Sequence, residues 1–253
     1  MPNTFTITGP DGATAEAMVY PDAAALVVGA ADLIAREASD AIAKRGRFSI
    51  ALSGGNTPRP VYERLAGLKV VDWGRALIFF GDERCVPPDD SRSNYRMARM
   101  SLLDRAPIPP ENVHRMRGED APRLAADAYA DEYARALGPS GRLDLNLLGL
   151  GDNGHTASLF PGLAALEETR RAIVAAYVEV VGMWRLTMTP PTINAARRVV
   201  FLVSGAAKAD IVARVLQGPR DPTVLPAQIV GPADSRPLWL LDAEAASKLR
   251  RTA

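Results

Sequence analysis

Short, largely apolar runs at Phe48–Leu52, Ala76–Phe80, Leu143–Leu148, Val199–Val203 and Leu238–Leu241 each have the length of one buried strand. Between them lie stretches with helical spacing. Pro21-Asp22 opens an alanine-rich helix to about Lys44, with Leu26, Leu33, Ile34 and Ile42 along one side. Further helices are expected at Arg59–Leu68, with Pro58 or Pro60 in the first turn, and at Ser93–Leu103, Ala121–Leu137, Pro190–Ala196, Ala206–Gln217 and Ala243–Arg250. Thr4–Thr8 and Ala15–Tyr20 read as strands around the Gly9–Gly12 turn, and Ile173–Val180 and Arg185–Thr189 as two more. Strands alternating with helices predict an α/β fold: a doubly wound, mainly parallel sheet with helices on both faces. No linker, repeat or low-complexity segment divides the chain, so residues 1–253 are read as one domain.

In such sheets ligands sit beyond the carboxyl ends of the strands, so the loops there carry the candidate chemistry. After the first long apolar run comes Ser53-Gly54-Gly55-Asn56-Thr57-Pro58. Its glycines let backbone N–H groups turn toward an anion at a helix start, and Asn56 and Thr57 add donors. The Gly-Lys-Ser/Thr ending of a nucleotide P-loop is missing, and a plain strand–helix turn remains the alternative. Gly81-Asp82-Glu83-Arg84 follows the next run as a polar loop; Arg84 can fork onto a phosphate and Asp82 can orient a hydroxyl. Cys85 beside it reads as a small residue at a strand end rather than a nucleophile. Gly149-Leu-Gly-Asp-Asn-Gly154 matches the dinucleotide fingerprint in letters only, because His155 follows at once and Pro161 interrupts the helix that fingerprint needs.

The chain has two histidines. His155, among glycines at the sheet edge, suits proton transfer near neutrality, whereas His114 reads as a surface residue. Nothing is spaced to complete a metal site. Arg185 opens a strand, and Lys208 lies in the first turn of the helix after Val199–Val203.

Bulk composition narrows the picture. With 253 residues, 47% hydrophobic and 23% charged, a formal net charge of +1 and one cysteine, the chain suits a cytoplasmic globular protein. That balance offers no general attraction to nucleic acid or an anionic membrane, and neither a secretory leader nor a membrane span is visible.

Taken in order, Ser53–Pro58, Gly81–Pro87 with Ser93-Asn94-Tyr95, Gly149–Pro161, Arg185–Thr189 and Ser204–Lys208 resemble the 6-phosphogluconolactonase family over nearly the whole chain. The resemblance implies the fold of sugar-phosphate isomerases and CoA transferases. It also implies hydrolysis of a sugar-phosphate lactone without metal or cofactor, in the oxidative pentose phosphate pathway, by a monomer or weak homodimer. On it, His155 is the base, Ser53–Thr57, Arg84 and Lys208 hold phosphate, and Arg185 lines the lactone end or steadies the phosphate. The family usually has Asp where this chain has Asn153. Either Asp152 replaces it as the imidazole's partner or, as the preferred expectation, that position is no charge partner at all. Two rivals are an amino-sugar-phosphate deaminase/isomerase, whose acid after the histidine region is missing here, and a non-catalytic sugar-phosphate sensor.

Overall fold

The computed structural model describes residues 2–250. In chain order the first half contains β1 (Asn3–Thr8), β2 (Thr14–Tyr20), α1 (Ala23–Arg45), β3 (Phe48–Leu52), α2 (Pro58–Gly67), β4 (Ala76–Phe80), β5 (Asp82–Arg84) and α3 (Asn94–Ala98). The second half contains α4 (Pro122–Leu137), β6 (Leu145–Leu148), β7 (Ile173–Val178), β8 (Met183–Met188), α5 (Pro190–Ala195), β9 (Arg198–Val203), α6 (Ala209–Gln217) and β10 (Leu238–Asp242).

Seven strands form the main sheet in the order β1-β2-β10-β9-β6-β3-β4, parallel throughout except for β1 against β2. Strands β3, β4, β6, β9 and β10 bury nearly every residue, as a sheet covered on both faces requires. From β3 the chain runs outward to β4 on one side. It then returns to β6 on the other side and continues through β9 to β10. The strand order therefore reverses between β3 and β6, and the crevice beyond their carboxyl ends is the place where such sheets take ligands.

The expected pattern fails in three places. β7 and β8 leave the main sheet: Gly182, at φ 58°, closes them into a hairpin that joins β5 in a separate antiparallel sheet of order β5-β8-β7. The polar loop read after Ala76–Phe80 thus contains strand β5. The helix expected over Ser93–Leu103 is α3 followed by a π turn at Arg99–Leu103, where the Ser101 hydroxyl donates back to the Met97 carbonyl at 2.8 Å. Residues 243–248, within the helix expected over Ala243–Arg250, form successive turns instead. One apolar cluster joins both sheets, from Ile50 and Phe79 to Ile173 and Leu186.

Asp144 pins the start of β6 to β3. Its buried carboxylate accepts from the Ser49 N–H and hydroxyl at 2.8 and 2.9 Å and from Arg45 Nε at 2.8 Å. Asp144→Ala leaves the buried Ser49 donors without that acceptor while the partly exposed Arg45 turns to solvent; it is expected to lower unfolding free energy by about 1–3 kcal/mol in denaturant titration.

Candidate active site

The turn after β3, the start of β5, the loop after β6 and strand β8 meet in one open cleft beside the reversal point, with a cavity volume of about 190 Å³. Ser53, Gly54 and Gly55 form one wall; Asp82 and Arg84 contribute from β5, Arg185 from β8, and His155 closes the opposite side.

His155 is held from three directions. Its Nδ1 lies 2.6 Å from Asn153 Oδ1, and its own backbone N–H donates to the same oxygen at 3.2 Å. Because the backbone group can only donate, the atom facing it is the amide oxygen; Nδ1 therefore carries the proton, and Nε2 keeps a lone pair. The ring stacks on Phe160 with centroids 3.9 Å apart and planes 16° apart. Gly151 lies so close behind that a Cβ there would sit 1.9 Å from the imidazole. Burial pulls the pKa down to about 4, with Asp82 pulling up and Arg185 and Lys208 adding to the downward shift, so the ring is neutral at physiological pH. Ala157 lines the same cleft with φ 48°, the one non-glycine positive φ among the described residues. Thr156, whose hydroxyl donates to the Gly149 carbonyl at 2.9 Å, holds the chain in that strained turn.

Arg84 and Arg185 stand directly opposite each other across β5 and β8, where two like charges repel. Asp82, 3.8 Å from Arg185, is the main carboxylate offsetting that repulsion, and Glu83 adds to it. Both guanidinium Nε atoms are buried and have no hydrogen-bond partner among the described residues. Phe160 lies between the base and the cation, with the Arg185 guanidinium 5.5 Å from its ring centre. Two adjacent guanidiniums are chemically suited to a doubly charged oxyanion.

The remaining expectations are placed differently. Asn56 and Thr57 lie outside the cleft wall, and Thr57 leads into α2 without a side-chain cap. Lys208 also lies outside it, donating to the Leu150 carbonyl at 2.7 Å and to Asp152 at 2.5 Å, behind the glycine loop. Asn153 faces the imidazole rather than the cleft. Asp152 points to Lys208 and Asn153 to His155, so the alternative in which Asp152 partners the imidazole is not the arrangement found, and the contact at position 153 carries no charge. His114 is no surface residue. It stacks on Phe79 at 4.6 Å and meets Glu132 at 2.8 Å through Nδ1. The Cys85 thiol is pushed up to about 11, mainly by burial, and so stays protonated and unreactive.

Three contributors escaped the sequence reading. Phe160 sat in a quoted motif, but nothing in the letters told a stacking partner from a core residue. Ser158, fully buried, donates to Asp82 at 2.5 Å, and Asn94, also buried, donates to the same carboxylate at 3.0 Å. Both come from segments distant in sequence.

Comparison with known proteins agrees with this geometry. The family described as glucosamine-6-phosphate isomerases/6-phosphogluconolactonase matches residues 21–239. A 6-phosphogluconolactonase of Nostoc sp. is 42% identical over 236 residues, covering 91% of this chain and 97% of that protein. One from Synechocystis sp. is 45% identical over 215 residues, covering 83% and 88%. The solved structure of 6-phosphogluconolactonase from Trypanosoma brucei superposes with a TM-score of 0.80 at 30% identity, covering 92% of this chain and 98% of that one. The chain belongs to the glucosamine-6-phosphate isomerase/6-phosphogluconolactonase family.

Proposed function

We propose that the protein hydrolyses 6-phosphoglucono-lactone to 6-phosphogluconate, with His155 as general base. The observation that carries this reading is the single cleft holding a neutral imidazole, its tautomer set by Asn153, together with two guanidiniums facing each other across a strand pair. The phosphate docks on Arg84 and Arg185 beside the Ser53–Gly55 turn. That remote contact places the lactone carbonyl next to His155. Nε2 takes a proton from water as the water oxygen bonds to the carbonyl carbon. The tetrahedral adduct collapses by breaking the ring C–O bond, and the imidazolium returns the proton to the leaving alkoxide. Asn153 keeps the ring oriented without adding negative charge. Single-domain organisation, a monomeric or weakly dimeric state and a cytoplasmic location accompany the proposal.

Bound phosphate also tunes the base. Arg185 depresses the imidazole, so a dianion placed on that guanidinium offsets it and raises the ring's basicity when substrate is present. The base works unprotonated, so activity is lost as pH falls through its pKa. The acid limb of kcat/KM, which reports the free enzyme, is expected near pH 4, and that of kcat at a higher pH. Asn153→Asp puts a carboxylate against the ring and is expected to move both limbs upward; full pH–rate profiles of the two proteins check this.

The rival deaminase reading needs an acid after His155, where Ser158-Leu-Phe-Pro161 supplies none. Acid release from the phosphorylated lactone and ammonia release from glucosamine 6-phosphate, followed with the same preparation, test the two readings. The first alone is expected; ammonia without lactone turnover reverses the assignment.

A further inference from the structure

Asn94 lines the cleft and carries an acceptor unpaired among the described residues. It opens α3 in a position fixed by Glu83, whose buried carboxylate accepts the backbone N–H of Asn94 and of Tyr95, each at 2.7 Å. The side chain is 2% exposed and lines the cleft. Its Nδ2 donates to the Asp82 carbonyl at 2.9 Å and to Asp82 Oδ1 at 3.0 Å. Both partners are pure acceptors, so the amide cannot be turned over, and Oδ1 must face the other way. There it lies against Gly54, so close that a Cβ on that glycine would sit 1.8 Å from it. Oδ1 is buried and has no hydrogen-bond partner among the described residues. A buried acceptor left unpaired is costly, and it becomes useful where a ligand brings the donor.

Asp82, the residue expected to orient a hydroxyl, is occupied otherwise. Its Oδ1 serves Asn94, and its Oδ2 takes the Ser158 hydroxyl and faces Arg185. The carboxylate works as a clamp, and the acceptor it holds out is the amide oxygen of Asn94.

We infer that Asn94 is a substrate-recognition residue whose Oδ1 accepts a hydrogen bond from one ring hydroxyl of the lactone, making the site selective for a fully hydroxylated sugar acid over its deoxy analogues. The inference rests on the lactonase reading. It goes further by assigning hydroxyl selectivity to one atom. The Gly54 position belongs to the same device, because any side chain there would occupy the space in which the amide oxygen and the hydroxyl meet.

The test compares kcat/KM for the phosphorylated gluconolactone and its 2-, 3- and 4-deoxy analogues in the wild type, Asn94→Ala and Gly54→Ala. The wild type is expected to prefer the parent over one deoxy analogue by roughly 5- to 150-fold, the factor set by leaving one buried acceptor unpaired. In both variants that preference should fall toward one, while preferences at the other two positions hold. Gly54→Ala displaces the amide without removing it, so the same signature there separates recognition from a general loss of packing. A uniform loss on all four lactones, with ratios unchanged, overturns the inference, as does a wild type that does not discriminate among them. A wild type that leaves all four lifetimes unaltered overturns the lactonase reading itself, and this inference with it.

Discussion

His155→Ala is expected to lower kcat for the phosphorylated lactone by about a hundred- to ten-thousandfold, with KM changed by less than about threefold. The separation follows from the layout. The proposed anion site lies on β5 and β8, and the proposed base on the loop after β6, so removing the imidazole is expected to leave Arg84 and Arg185 where they were. Phe160, 6% exposed with the imidazole stacked on it, loses that cover but keeps the Arg185 guanidinium 5.5 Å from its ring centre. Initial rates corrected for spontaneous hydrolysis give kcat. Competition by inorganic phosphate gives the affinity of the anion site independently. A variant with undiminished kcat removes His155 from the chemistry. One that loses phosphate affinity as well shows the loop and the anion site to be a single unit.

Arg185→Ala should act in the opposite sense. A charge-assisted hydrogen bond contributes roughly 1.5–3 kcal/mol, so kcat/KM for the phosphorylated lactone is expected to drop by roughly ten- to 150-fold. The unphosphorylated lactone should be turned over nearly as before. Thermal stability should change little. The substitution removes the repulsion with Arg84 across the strand pair while also removing the 3.8 Å attraction to Asp82, and the two oppose each other. A large loss of melting temperature with an unchanged preference between the lactones would make Arg185 a structural residue and leave the phosphate to Arg84 alone.

The main sheet and its helices were legible because burial on both faces writes near-continuous apolar runs, and because Asp22, Gly46 and the early prolines mark helix ends chemically. The small sheet was not. β5 is three residues long and polar, and its partner β8 is about a hundred positions away, so no local pattern announces their pairing. The site shows the same split. Glycine turns and a lone histidine at strand ends can be read from letters, since the chemistry is local. The mutual arrangement of Arg84 and Arg185, the Phe160 stack and the Asp82–Asn94–Ser158 clamp are products of long-range pairing, and only the fold brings them together. Asn153 is instructive for the opposite reason. The letters left open whether position 153 carries a charge partner, and its amide oxygen contacts the ring as a carboxylate would, with no charge added.

The central claim is that one cleft grips a phosphate at one end and activates water at the other. Its most direct test is the rate of ring opening of phosphorylated and unphosphorylated gluconolactone, each followed by NMR with and without the protein. The account predicts a strong acceleration of the phosphorylated lactone and a much weaker one of its unphosphorylated counterpart, both abolished by His155→Ala. Equal acceleration of the two lactones, or equal acceleration by the His155→Ala protein, would contradict it.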